Sequence, residues 1–374
     1  MKNDQGILNI IKKRILEDYQ NDISVLVRYG NKKDRQEKNL GLGLYFIPKT
    51  EKGKSLSTQF IVEGVSYDLF PISWDRLIAN AAMDSPQAYL LLDTEVVYCA
   101  DEEALERFNG LKESLKTMLS GRYEEALLNK AYEYFNETYI YLHNMVLYGE
   151  SLQSIRLEAG KLVNKIANVL GFANQTYYQN GNGSVLRDSM KLESLPLDYQ
   201  KLVDGVLFAE TGDQVYKNAC ELVKVTRGFL LAKKKENSQE ESFEILFTGY
   251  YEELKKSINK CRNALDQKDY YALYELLSFI QEEVAQFLAK VEEGIWYDDR
   301  NAWMEYQKAF FGHFDQELLE LVTKRDDEGI RQAIDRFESD FRDLMKENAI
   351  HLMEYTSLDA FEQDFMGKKA SGEV

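Results

Sequence analysis

The chain has 374 residues, 44% of them hydrophobic, which is enough for two domains with cores of their own. No stretch approaches the roughly 20 uninterrupted apolar residues of a bilayer span, and the first residues lead into no signal-like segment, so the expectation is a soluble cytoplasmic protein with no membrane partner. Its net charge is −17, its three cysteines are widely spaced and it has only three histidines, which together disfavour a nucleic-acid partner, a disulfide framework and a histidine-rich zinc site.

In chain order, the apolar stripe of Ile7, Leu8, Ile11 and Ile15 predicts a helix over 5–20. Strand character follows at 23–29, 42–47, 58–62, 65–70 and 89–98, with a short helix at 75–80 between the last two. Asp101-Glu102-Glu103 places negative charge at a helix start, and Ser120-Gly121 ends that helix. From there the pattern is helical over 122–148, 151–171, 198–232, 240–266, 269–292, 302–323 and 327–349. The four prolines avoid all of these interiors. A loop is expected at 179–184 and an exposed link at 233–238. The first 100 residues are electrically balanced, so the helical remainder carries the whole negative charge. Such a surface attracts small cations such as polyamines, and it also serves plain solubility.

Three short segments fit one another: Tyr29-Gly30-Asn31, then Leu40-Gly41-Leu42-Gly43-Leu44-Tyr45-Phe46, then Tyr67-Asp68-Leu69-Phe70. Their order of strand, Gly-polar turn, second strand and carboxylate-bearing third strand resembles the polymerase-β-type nucleotidyltransferases, in particular the kanamycin nucleotidyltransferase branch. The helix and strand through Lys13–Tyr19 and Ile23–Val27 extend the resemblance upstream.

The resemblance implies an α+β fold, with a mixed-sheet nucleotidyltransferase domain at 1–120, an acidic all-helical bundle domain at 121–374 and a substrate cleft between them. It implies Mg²⁺ and ATP, or another nucleoside triphosphate, as cofactors. The partners it implies are a nucleotide and a small cationic hydroxyl acceptor of the aminoglycoside type, and a homo-oligomer is compatible with it. In such enzymes two acids on the second strand and one on the third hold two metals. Here Gly41 and Gly43 stand at the first two places and Asp68 keeps the third. Residues two apart on a strand share a face, so positions 41 and 43 would aim at the same space as Asp68. One carboxylate seldom replaces three for a hard cation of near-octahedral preference. A strand glycine also marks a bulge or a close backbone approach, and that reading stays open here.

By the same resemblance Gly30, Asn31 and Lys32 form a phosphate-binding turn, which could equally be a simple Asn-containing turn. Glu137 falls at the place of a general base, with Tyr141 where the relatives carry a lysine. Arg156 and Lys161 are secondary phosphate contacts. Asp34 and Glu37 are potential substitute ligands in a Lys-rich loop. The catalytic role the resemblance implies therefore rests on Asp68 and Glu137, and the metal-binding role on Asp68. The chain reads as a transferase-like pseudoenzyme, inactive or weakly active, or as a non-catalytic nucleotide-sensing or protein-interaction module on the same fold. A Rossmann site fails for want of a third glycine and a following helix start. A helical ribonuclease half fails because no histidine follows an arginine at the required spacing.

Overall fold

The computed structural model describes residues 2–30, 42–147, 149, 151–179, 183–238, 241–298, 300, 305–316 and 318–371. The elements begin with α1 (Lys2–Asp18), β1 (Ile23–Tyr29), β2 (Gly43–Pro48), α2 (Glu51–Lys54), β3 (Thr58–Val62), β4 (Val65–Pro71), α3 (Trp74–Ala81), α4 (Tyr89–Leu92) and β5 (Thr94–Cys99). Only helices follow among the described residues: α5 (Glu102–Met118), α6 (Glu124–Asn136), α7 (Thr138–Leu147), α8 (Leu152–Ala173), α9 (Val185–Ser189), α10 (Tyr199–Phe208) and α11 (Gly212–Glu236). The last are α12 (Phe243–Phe247), α13 (Tyr250–Asp266), α14 (Tyr270–Glu293), α15 (Gln307–His313), α16 (Leu318–Lys324), α17 (Asp327–Glu347) and α18 (Leu358–Ser371). A mixed sheet followed by an all-helical region is the expected fold class.

The sheet runs β3-β4-β2-β1-β5, with β2 and β4 parallel and the other pairs antiparallel. Alternation along the strands sorts the side chains onto two faces. Leu26, Leu44, Phe46 and Leu69 share one core with Ile7, Leu8, Ile11 and Ile15 of α1. Val25, Val27, Tyr45 and Ile47 face the other way and share a core with Phe108, Leu115, Leu127 and Phe135 of α5 and α6. Both faces of β1 are covered, which explains its unbroken apolar sequence.

Two compact units make up the chain, Met1–Lys234 and Lys235–Val374. The sheet-to-helix change near residue 120 lies inside the first of them, where sheet and helices share one core. Lys233–Glu236, expected in an exposed link, continue α11. The second unit is built around an aromatic core in which Phe247, Tyr250, Phe287, Phe314 and Phe341 meet at ring separations of 4.6–6.2 Å.

Several long periodic stretches are divided, each for a local reason. The run 89–98 opens with a helical turn that buries both Leu90 and Leu91, and the Tyr45 hydroxyl donates to the Leu90 carbonyl (2.6 Å). A short apolar run carries no period that would separate turn from strand. The 122–148 stretch breaks at Glu137, where the Thr138 hydroxyl donates to the Phe135 carbonyl (2.6 Å). Extended backbone at Ala209 and a left-handed Gly249 (φ +79°) split 198–232 and 240–266. The expected helix starting at Asp101 forms, with the Asp101 carboxylate accepting from the Ala104 N–H (2.8 Å).

Candidate functional site

Register places Gly43 opposite Asp68 on β4 and opposite Tyr29 on β1. Gln59 on β3 pairs with Asp68, and Thr94 on β5 pairs with Tyr29, so one row of neighbours crosses the sheet as Gln59, Asp68, Gly43, Tyr29 and Thr94. Cross-strand partners project to the same face. Asp68 and Gly43 therefore occupy the juxtaposition that the motif resemblance implies. Gly41 lies outside the described residues, as do Asn31, Lys32, Asp34 and Glu37.

The space above Gly43 is filled. A β-carbon at this position would come within 2.5 Å of Tyr29 Cζ and 2.7–2.8 Å of the adjoining ring carbons. The Tyr29 ring is held there by Tyr45, Phe70 and Tyr89, with centroids 5.9–6.0 Å away. What comes close at this strand glycine is an aromatic ring and not the backbone of the open alternative. Burial, with the neighbouring Tyr89 and Asp68, pushes the Tyr29 phenol up to about 12, so it stays neutral at physiological pH. Asp68 itself is exposed and has no ion-pair partner among the described residues.

A pair of Mg²⁺ ions does not fit the described part of this face. It offers one carboxylate, and the neighbouring position is occupied by a ring. Among the described residues no group of three or more His, Cys, Asp and Glu side chains gathers at metal-binding separations.

Gly30 has φ +105°, and the space beside its α-carbon is open, with no atom within 4 Å of where a β-carbon would lie. Its N–H donates to the Asp93 carbonyl (3.0 Å) and so joins β1 to the start of β5. Near this end of the sheet, the Lys112 ammonium donates to the Thr94 carbonyl (3.3 Å) and hydroxyl (3.2 Å).

Glu137, at the joint of α6 and α7, is half exposed and accepts from Lys165 of α8 (2.8 Å). The Lys165 ammonium also lies 4.4 Å from the Tyr134 ring centroid, and its side chain is 18% exposed. The Tyr134 hydroxyl reaches the Asp84 carbonyl (3.4 Å), and the Asp84 carboxylate pairs with Lys130. Lys165 was legible as an anomaly, because it stands between Leu162 and Val169 on an apolar face of α8. Breaking the pair with Lys165→Met is expected to cost about 0.5–1 kcal/mol, half-exposed as Glu137 is, measurable as faster hydrogen exchange of the peptides over α6 to α8. Arg156 donates to the Ala209 carbonyl (3.1 Å), and Lys161 pairs with the buried Glu158 (2.6 Å). Hydrogen bonds from Lys161 and from Asn144 hold the Glu158 carboxyl below the usual range. Asp68 and Glu137 share no hydrogen-bond or ion-pair partner among the described residues.

Residues 105–236 match the family described as the KNTase C-terminal domain, beginning in α5 and ending where α11 ends. Over these residues, about a third of its length, the chain is similar to the C-terminal domain of the kanamycin-nucleotidyltransferase family. Among solved structures, a nucleotidyltransferase-like protein from Exiguobacterium sibiricum 255-15 is similar at 10% identity and a TM-score of 0.36, over 71% of this chain and 91% of that one. No curated protein matches. Among the described residues no helix is long and apolar enough to cross a membrane.

Proposed function

We propose that the chain is a nucleotidyltransferase-like protein in which metal-dependent nucleotidyl transfer is lost or reduced to a trace. The observation that carries this reading is the Tyr29 ring over Gly43, beside the single carboxylate of Asp68. Transfer to a hydroxyl acceptor depends on positioning the nucleotide and neutralising its phosphates. Gly43 contributes no charge to that task. Tyr29 prevents a side chain from being added there without movement of the ring. Glu137 remains the residue in the place of a general base, and the Lys165 ammonium supplies a cation where Tyr141 supplies none. Arg156 and Lys161 are weaker candidates for phosphate because each already serves a protein acceptor. A nucleotide such as ATP is the ligand class the family suggests. The strongly negative charge favours a small amine over nucleic acid as a second partner, and a cytoplasmic setting agrees with the composition.

Incubation with ATP, Mg²⁺ and a panel of aminoglycosides, followed by mass spectrometry of the small molecules, is expected to yield no adenylylated product. Ready turnover would overturn the reading.

A metal-independent nucleotide-sensing role is a second reading, favoured by the open space beside Gly30 and its positive φ. It predicts ATP binding of equal strength in EDTA and in Mg²⁺ by calorimetry. Absence of any heat of binding under both conditions would dismiss it.

A further inference from the structure

We infer that the sheet face at Asp68 is a seat for an organic ammonium group. The inference extends the reading of a face without catalytic metals, and it turns on the chemistry that remains there.

Asp68 is an exposed carboxylate without an ion-pair partner among the described residues, in the middle of a row between Gln59 and Gly43. On the Gly43 side the wall is aromatic. Tyr29, Phe70 and Tyr89 are each half-buried, with Phe70 and Tyr89 both 6.0 Å from the Tyr29 ring. Asp68 is the β4 partner of Gly43, and the Tyr29 ring lies over Gly43, so carboxylate and ring flank the same position. Gln59, exposed on the edge strand, presents an amide oxygen on the other side of the row.

A divalent ion of octahedral preference needs several oxygen ligands and excludes apolar rings from its shell. An alkylammonium has opposite needs: one carboxylate for its charge, a neutral acceptor for a further N–H, and aromatic surface for its C–H groups. The missing side chain at Gly43 and the ring that fills its place take away from the first ligand and provide for the second. Arg76, a cation that bears on the Tyr89 hydroxyl, is held by Gln87 (2.9 Å). The negative charge of the whole chain raises the local concentration of amines.

The test is a saturation-transfer NMR titration of the full chain with n-butylammonium chloride at 150 mM NaCl. The unmodified chain is expected to bind it. Asp68→Asn is expected to weaken binding roughly fivefold and Tyr89→Leu roughly threefold, the sizes of one exposed ion pair and one exposed cation–π contact. Asp75→Asn, which alters an exposed carboxylate on α3, should leave the affinity within about twofold and reports general attraction to negative charge. Equal affinity for the parent and Asp68→Asn would overturn the inference, as would no transfer to the parent at all. MgCl₂ added at matched ionic strength separates the two readings. Displacement of the amine by Mg²⁺ that disappears in Asp68→Asn would locate a metal at this carboxylate and overturn the proposed loss of the metal site, whereas the amine seat is decided by the Asp68→Asn affinity alone.

Discussion

Gly43→Asp is expected to destabilise the first unit by about 1–3 kcal/mol, even though it sets a second acidic residue beside Asp68. Replacing a strand glycine ordinarily gains about 0.5–1 kcal/mol, because glycine loses the most backbone freedom on folding. Here the new β-carbon would stand 2.5 Å from the Tyr29 ring. Overpacking of this kind costs about 1–3 kcal/mol. The new carboxylate would also face Asp68 directly across the β2–β4 pair, a like-charge neighbour without an ion-pair partner among the described residues. Both penalties oppose the backbone gain and together exceed it. Tyr29→Ala removes the ring, so the pair of substitutions should be less damaging than the sum of the singles by about 1–2 kcal/mol. With two compact units in the chain, bulk unfolding is not a two-state measure. Hydrogen exchange of the peptides over β1 and β2 reads the local effect. Unchanged protection in Gly43→Asp would mean that Tyr29 moves aside freely.

The second large effect belongs to the second unit. Glu338 on α17 is buried and accepts from the Tyr251 hydroxyl (2.9 Å), Arg262 (2.6 Å) and Lys255. Burial pushes its carboxyl up, but the hydrogen bonds from Lys255, Arg262 and Tyr251 outweigh it and the net shift is downward. Arg342 holds Glu354 down in the same way, through a two-pronged pair at 2.5 and 2.6 Å. Glu338→Ala leaves two cations facing an apolar gap and is expected to cost about 2–3 kcal/mol, below the full figure for a buried pair because Lys255 and Arg262 are partly exposed. Asp335→Ala, at an exposed partner of the same Arg262, should cost about 0.5 kcal/mol or less. The sign with pH follows from the lowered carboxyls. Their contribution is fully present above the ordinary glutamate range near pH 4.5 and disappears as the pH falls through the lower folded-state values. Protection factors across α13 and α17, corrected for the slower intrinsic exchange at low pH, should fall on acidification in the parent, and the Glu338→Ala chain should lose less of its remaining protection over the same interval.

Much of the sheet was legible because its strands are bounded by turn residues and their apolar content is unbroken. The adjacency of Gly43 and Asp68 followed from the order of the motif segments. That Tyr29 lies across Gly43 was not legible, since two antiparallel strands joined by 13 residues have no sequence-fixed register. The divided helices were missed for a related reason. Periodicity survives a break of two or three residues such as Thr248–Gly249 or Ala209–Thr211, so a helix and its successor read as one. Glu137 was visible as a carboxylate at the place the resemblance implies for a base, whereas its partner Lys165 is 28 residues away and meets it through the packing of α6 and α7 on α8.

The most direct measurement is a Mn²⁺ titration of the full chain followed by electron paramagnetic resonance, without nucleotide, compared between the parent and Asp68→Asn. The account predicts only weak binding, of the kind a strongly acidic surface gives any divalent ion, and identical curves for the two chains. A tight manganese site that vanishes in Asp68→Asn would contradict it.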